Sequence, residues 1–187
     1  KTIPLTTYGK NKNQAKALIG DACKEVIELA KTTRKSLVIE KLDFRKKRSS
    51  LREAHSPKHA RMLSSLSYNA ICQGLDSRAW KEGVEVAAVN PAFTSLIGRV
   101  KFSKRYGLSI HHSAALAIGR RFLQASERVP RHLDQVPDGK GGYVALSQPV
   151  RNGCKHVWSL WSKLNRELKT VLAAHFRATS RRSSSYK

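Results

Sequence analysis

Glu40 closes a short β-branched run, Leu37-Val38-Ile39-Glu40, and Arg45-Lys46-Lys47-Arg48 follows within a few residues. A carboxylate at a strand end is a hard oxygen ligand for a divalent cation, and a neighbouring cationic loop suits phosphate. Metal-dependent phosphodiester cleavage needs that pairing, but it needs more than one acid. Asp43, three residues after Glu40, is either a further carboxylate behind the first or a turn acid. His55 and His59 have the i, i+4 spacing of a helical metal pair, but Pro57 between them opposes a regular helix, so solvent-exposed histidines are the expectation.

Charge points the same way. Thirty-six Lys and Arg against 13 Asp and Glu leave +23 on 187 residues. Solubility alone asks for a magnitude of about 2–8. A polyanion is the partner such a surplus favours, because phosphate neutralisation releases counterions. An anionic membrane surface and a ribosome-like structural role are the alternatives. No run of 18 apolar residues occurs, so no transmembrane helix is expected. Cys23, Cys72 and Cys154 are odd in number and fit no zinc spacing, which makes reduced intracellular thiols the default. The chain opens Lys1-Thr2-Ile3 without a signal-peptide pattern and reads as beginning in mid-protein.

The elements that must position these residues follow from periodicity. Residues 11–33 carry apolar positions at helical spacing, and residues 36–40 form a strand candidate. Residues 43–57 read as a basic loop, residues 58–81 as a second helix ended by Gly83, and residues 84–89 as a second strand. A short basic connection, 99–105, leads to a third helix over 110–126. Residues 128–153, rich in Pro and Gly, read as an irregular linker. A last helix spans about 155–178, with Trp158 and Trp161 on or near its apolar stripe as core residues, and a Ser/Arg-rich disordered tail follows. Alternating helices and strands predict an α/β fold with a parallel sheet. Two strands are too few for a sheet covered on both faces, so further strands are expected from an upstream segment or a second chain.

Several phrases in order carry a resemblance. They are Leu37 to Phe44, Met62-Leu63-Ser64-Ser65-Leu66-Ser67-Tyr68, Val86 to Ser95, Tyr106 to Ala115 running on to Gly119-Arg120-Arg121, and His156-Val157-Trp158-Ser159. Together, over roughly residues 11–176, they resemble the RuvC-like nuclease of transposon-encoded TnpB (OrfB) proteins, relatives of the type V CRISPR effectors. The resemblance implies an RNase H-like fold: three antiparallel strands, then helix, strand, helix, strand, helix. This chain matches the second half, with parallel strands, flanking helices and an added C-terminal helix. The implied layout is a partial nuclease domain over 1–127, a linker over 128–153, a C-terminal helix over 154–178 and a basic tail over 179–187.

It also implies an RNA-guided DNA endonuclease acting through Mg²⁺, with DNA and a guide RNA as partners, no membrane, and a cytoplasmic, nucleoid-associated place in a prokaryote. Glu40 matches the second acid of the family's three. The first has no counterpart here, and His111 stands where the third is expected. Imidazole is a poorer Mg²⁺ ligand than carboxylate, but it serves as a general base or orients a phosphate; the other reading of His111 is structural. The family's zinc ribbon has no cysteines here, between Thr94 and Ser109, so zinc is not expected. Nucleic-acid contacts are expected from Arg45, Lys46, Lys47 and Arg48, from Arg99, Lys101, Lys104 and Arg105, and from Arg120 and Arg121. Phe102 and Tyr106 either stack on bases or pack on the core. Cutting is expected only from a complete protein. A nuclease-dead binding module and an unrelated structural RNA-binding protein remain the alternatives.

Overall fold

The computed structural model describes residues 2–7, 9–42, 65–133, 135–148 and 156–184, with side chains given from 68 and up to 180 at the two helix ends concerned. The chain is mixed α/β and mostly helical, and it forms two compact units that meet in sequence at Asn90 and Pro91. The division falls inside the stretch expected as one partial domain, 1–127.

The first unit opens with α1 (Lys12–Thr33). Asn11 and Gln14 start it with a capping box: the Gln14 N–H donates to Asn11 Oδ1 at 2.9 Å, and the Asn11 N–H donates to Gln14 Oε1 at 3.1 Å. It stops at Arg34, a left-handed residue at φ 52°. Ile19, Cys23, Ile27 and Ala30 form its buried stripe. Strand β1 (Leu37–Glu40) follows, then α2 (Ser65–Glu82) and β2 (Val86–Val89). The two strands pair in parallel with Glu40 opposite Val89, as the alternation of elements predicts. Leu37, Ile39 and Val86 pack on the core made by α1 and α2, where Leu75 and Ala79 are buried. By strand alternation Val38 and Glu40 point to the other face. A Lys31–Glu82 ion pair of 2.6 Å joins the ends of the two helices. Cys23 and Cys72 are free thiols, and burial pushes the Cys23 thiol up against the opposing charge of Arg78.

The second unit departs more from expectation. The stretch expected as a basic connection is helical: α3 (Thr94–Ile97), a π-helical run (Gly98–Ser103) and α4 (Lys104–Tyr106) follow without a break. It crosses α5 (Ile110–Phe122) closely. A Cβ on Gly98 would lie 2.4 Å from the Ser113 carbonyl carbon, and the buried Ser103 and Ser113 hydroxyls sit 2.8 Å apart. The segment 128–153, expected as an irregular linker, holds an antiparallel hairpin of β3 (Gln135–Pro137) and β4 (Tyr143–Ala145). Val136 and Val144 pair across it and are buried with Val129 and Leu146. Strands of three residues leave too little periodicity to register, whereas the glycine-rich five-residue connection 138–142 between them is a hairpin signal.

The last helix, α6 (Val157–Ser184), runs past the expected end near residue 178. Leu160, Trp161, Leu164 and Leu168 bury one face against the same core. Trp161 is a core residue, and its indole N–H donates to the Glu127 carbonyl at 2.7 Å. Trp158 is instead half exposed, edge-on to Phe93 at 5.9 Å. Among the described residues no helix is long and apolar enough to cross a membrane.

Candidate nucleic-acid interface

Glu40 is the last residue of β1, half-buried, at the carboxyl end of a parallel strand. Its backbone is held there. The Tyr68 hydroxyl of α2 donates to the Glu40 carbonyl, and the Leu42 N–H donates to that hydroxyl at 3.2 Å. Tyr68 therefore pins the strand end from the helix that leads to β2, and burial pushes its phenol up. Asp43, His55, His59, Cys154 and the run Arg45, Lys46, Lys47, Arg48 lie outside the described residues. Among the described residues no three His, Cys, Asp or Glu side chains gather as a metal site. A Mg²⁺ ion takes several oxygen ligands, and the described residues do not supply such a group by themselves.

His111 is exposed in the first turn of α5, where the Ser109 hydroxyl caps the helix by accepting the His112 N–H at 3.2 Å. It lines a cleft of about 460 Å³ with Lys104, Ser109, the glycine turn of the hairpin and Tyr143.

The expected cations divide by partner. Lys101 donates to Glu127 at 2.5 Å, and Arg120 donates to the same carboxylate at 3.0 Å. Both also stand over the Phe102 ring, at 5.4 and 5.3 Å. Arg121 donates to the Ala92 carbonyl at 2.8 Å and lies over Trp158. Arg99 is half-buried; burial pulls its guanidinium below its ordinary value while Asp138 opposes that. Lys104 and Arg105 are exposed. Phe102 is only 4% exposed and is a core residue; Tyr106, 53% exposed, stacks on it at 6.1 Å, and the Arg105 guanidinium carbon lies 5.4 Å from the Tyr106 ring centroid.

A second cleft, also about 460 Å³, runs beside the π-helical stretch. Lys101, Lys104 and Arg105 form one wall, and Arg128 and His132 form the other. Sequence reasoning missed Arg128, His132 and Tyr143 because it placed all three in a linker. The basic cluster Arg128-Val129-Pro130-Arg131-His132 was the available signal.

No protein-family model, curated protein or solved structure matches the chain. What the two clefts offer chemically is cationic side chains, two histidines, His111 and His132, and the exposed Tyr143, a set suited to phosphates and unpaired bases.

Proposed function

We propose that this chain is a nucleic-acid-binding part of a TnpB-like, RNA-guided DNA endonuclease with a partial RuvC fold. The observation that carries the reading is the +23 charge together with Lys104, Arg105 and Arg128 gathered on one cleft. Glu40 at the carboxyl end of a parallel strand, followed by the helix and second strand of the family order, supports it. DNA and a guide RNA are the partners, Arg45 to Arg48 add cations after the strand, and a place beside the nucleoid in the cytoplasm goes with them.

In a complete protein Glu40 would hold Mg²⁺, which supplies water activation at a phosphodiester. Further acids would come from outside these residues. His111, exposed on a cleft beside Lys104, would orient a phosphate or take a proton at an imidazole nitrogen. A nuclease-dead binding module is the second reading, and the lack of any three-residue His, Cys, Asp or Glu cluster among the described residues favours it for this polypeptide.

Co-purified RNA and a Mg²⁺ or Mn²⁺ cleavage assay separate the two. Cleavage by a complete protein that is lost in Glu40→Ala supports the endonuclease. Metal-independent binding with no cutting, unchanged in Glu40→Ala, supports the binding module. If no nucleic acid co-purifies and added oligonucleotides do not bind, both readings fall.

A further inference from the structure

The two clefts of the second unit adjoin: Lys104 lines both, and β3 borders both through Gln135 and Val136 on one side and Pro137 on the other. Along this line the first cleft offers Lys104, Arg105, Arg128 and His132, and the second offers His111. Among the described residues neither cleft is lined by a carboxylate. Glu127, next in sequence to Arg128, already bridges Lys101 and Arg120. Two exposed aromatic rings accompany the clefts. Tyr106, half exposed, stacks on the cleft's Phe102, and Tyr143, 51% exposed, lines the second cleft from β4.

Cations along a groove with exposed rings beside them are the pattern that binds a single strand: phosphates track the charge and unpaired bases stack on the rings. A single strand can lay phosphates on those cations and stack its free bases on those rings, whereas a duplex keeps its bases paired inside the helix.

We infer that the groove between the π-helical stretch and the β3–β4 hairpin binds one single-stranded polynucleotide segment, its phosphates on Lys104, Arg105 and Arg128 and its bases on Tyr106 and Tyr143, and leads that strand to His111. This rests on the nucleic-acid reading and adds a location, a strandedness and a path. The hairpin, expected from sequence to be a linker, becomes a wall of the site.

The test is fluorescence anisotropy on the full chain, with labelled 20-mers of oligo-dT and oligo-U and a duplex of the same length, over a salt series. The groove variant Lys104→Ala/Arg105→Ala/Arg128→Ala is compared with Lys163→Ala/Arg166→Ala/Lys169→Ala, which removes the same charge from exposed positions on α6. The groove variant loses roughly tenfold or more in single-strand affinity, and its log–log salt slope falls by about 2, at ~0.7 per phosphate contact, while the α6 variant changes much less. Tyr106→Ala weakens binding roughly tenfold and Tyr106→Phe restores it, because stacking needs the ring and not the hydroxyl. Photo-crosslinks from 4-thiouridine or 4-thiothymidine fall on peptides holding Tyr106 and Tyr143, and the two oligomers tell RNA from DNA.

Equal losses in the two triple variants, crosslinks confined to other peptides, or a preference for the duplex overturn the groove while leaving nucleic-acid binding intact. Failure of the wild-type chain to bind any oligonucleotide overturns the underlying reading itself. Binding to phosphatidylserine vesicles in place of oligonucleotides does the same, in favour of a membrane surface.

Discussion

Gly98 sits where the π-helical stretch crosses α5, with no space for a methyl group: the added carbon would lie 2.4–2.5 Å from the Ser113 and Ala114 backbones. Backbone cannot swing aside as a flexible side chain can. Gly98→Ala should therefore destabilise the second unit by about 3 kcal/mol, the upper range for overpacking, read as a lower urea midpoint. A midpoint within error of wild type would mean that the crossing is looser than drawn. Asp138 is the other residue with a clear consequence. Its Oδ1 accepts the Lys140 and Gly142 N–H groups at 2.7 and 2.9 Å, and its Oδ2 faces His175 Nε2 at 3.3 Å. These partners, the Lys140 N–H foremost, hold its carboxyl below the usual range. A depressed folded pKa contributes stability above the ordinary carboxylate value, about 4, that is lost as pH falls through the folded value. Asp138→Asn should thus be less stable than wild type at pH 6, and the gap should narrow as pH falls below about 4 in urea titrations. An equal gap at pH 6 and below about pH 4 would rule the charge out. Neither position was legible from the chain, because a glycine at a crossing and an aspartate in a turn owe their roles to what lies opposite.

At the scale of elements, Glu127 organises the second unit. Its carboxylate joins Lys101 on the π-helical stretch to Arg120 on α5, and its carbonyl takes the Trp161 indole of α6. The side chains of Lys101 and Glu127 are only 16% and 10% exposed, so their pairing is poorly screened. Glu127→Gln leaves two cations facing each other at cost; about 3 kcal/mol is expected, read by thermal or urea unfolding. Adding Lys101→Met should recover part of the loss, since removing both partners spares the desolvation of an unmatched charge. No recovery would show that the carboxylate acts chiefly through Arg120. The long helices were readable because apolar residues recur at 3.6: Ile19, Val26 and Ala30 in the first, and Trp161, Leu164 and Leu168 in the last. The stretch from Thr94 to Tyr106 was not, because three short helical runs blur that period. The hairpin was missed for lack of length, although its glycine-rich connection was in view.

For the whole molecule the charge balance governs. At +23 the chain repels itself, and a bound polyanion relieves that repulsion. Binding to single-stranded nucleic acid should therefore weaken steeply with salt, with log affinity falling linearly against log salt at a slope of at least about −3, as for four or more phosphate contacts. Anisotropy between 50 and 300 mM salt reads it directly, and a flat response would remove phosphate contacts as the source of affinity. This much rests on the amino-acid sequence alone: the surplus of Lys and Arg, the period of the long helices, and the parallel pairing implied by their alternation with strands. Glu40 at a strand end also followed from the chain alone, since a β-branched run stops at a carboxylate with a basic sequence soon after it. Which cations are available was decided only in three dimensions. Lys101, Arg120 and Arg121 look the same in sequence as Lys104 and Arg105, yet packing gives the first three carboxylate or carbonyl partners and leaves the other two exposed beside Arg128. Charge is a property of the residue. Its availability depends on which acceptor the fold brings within reach.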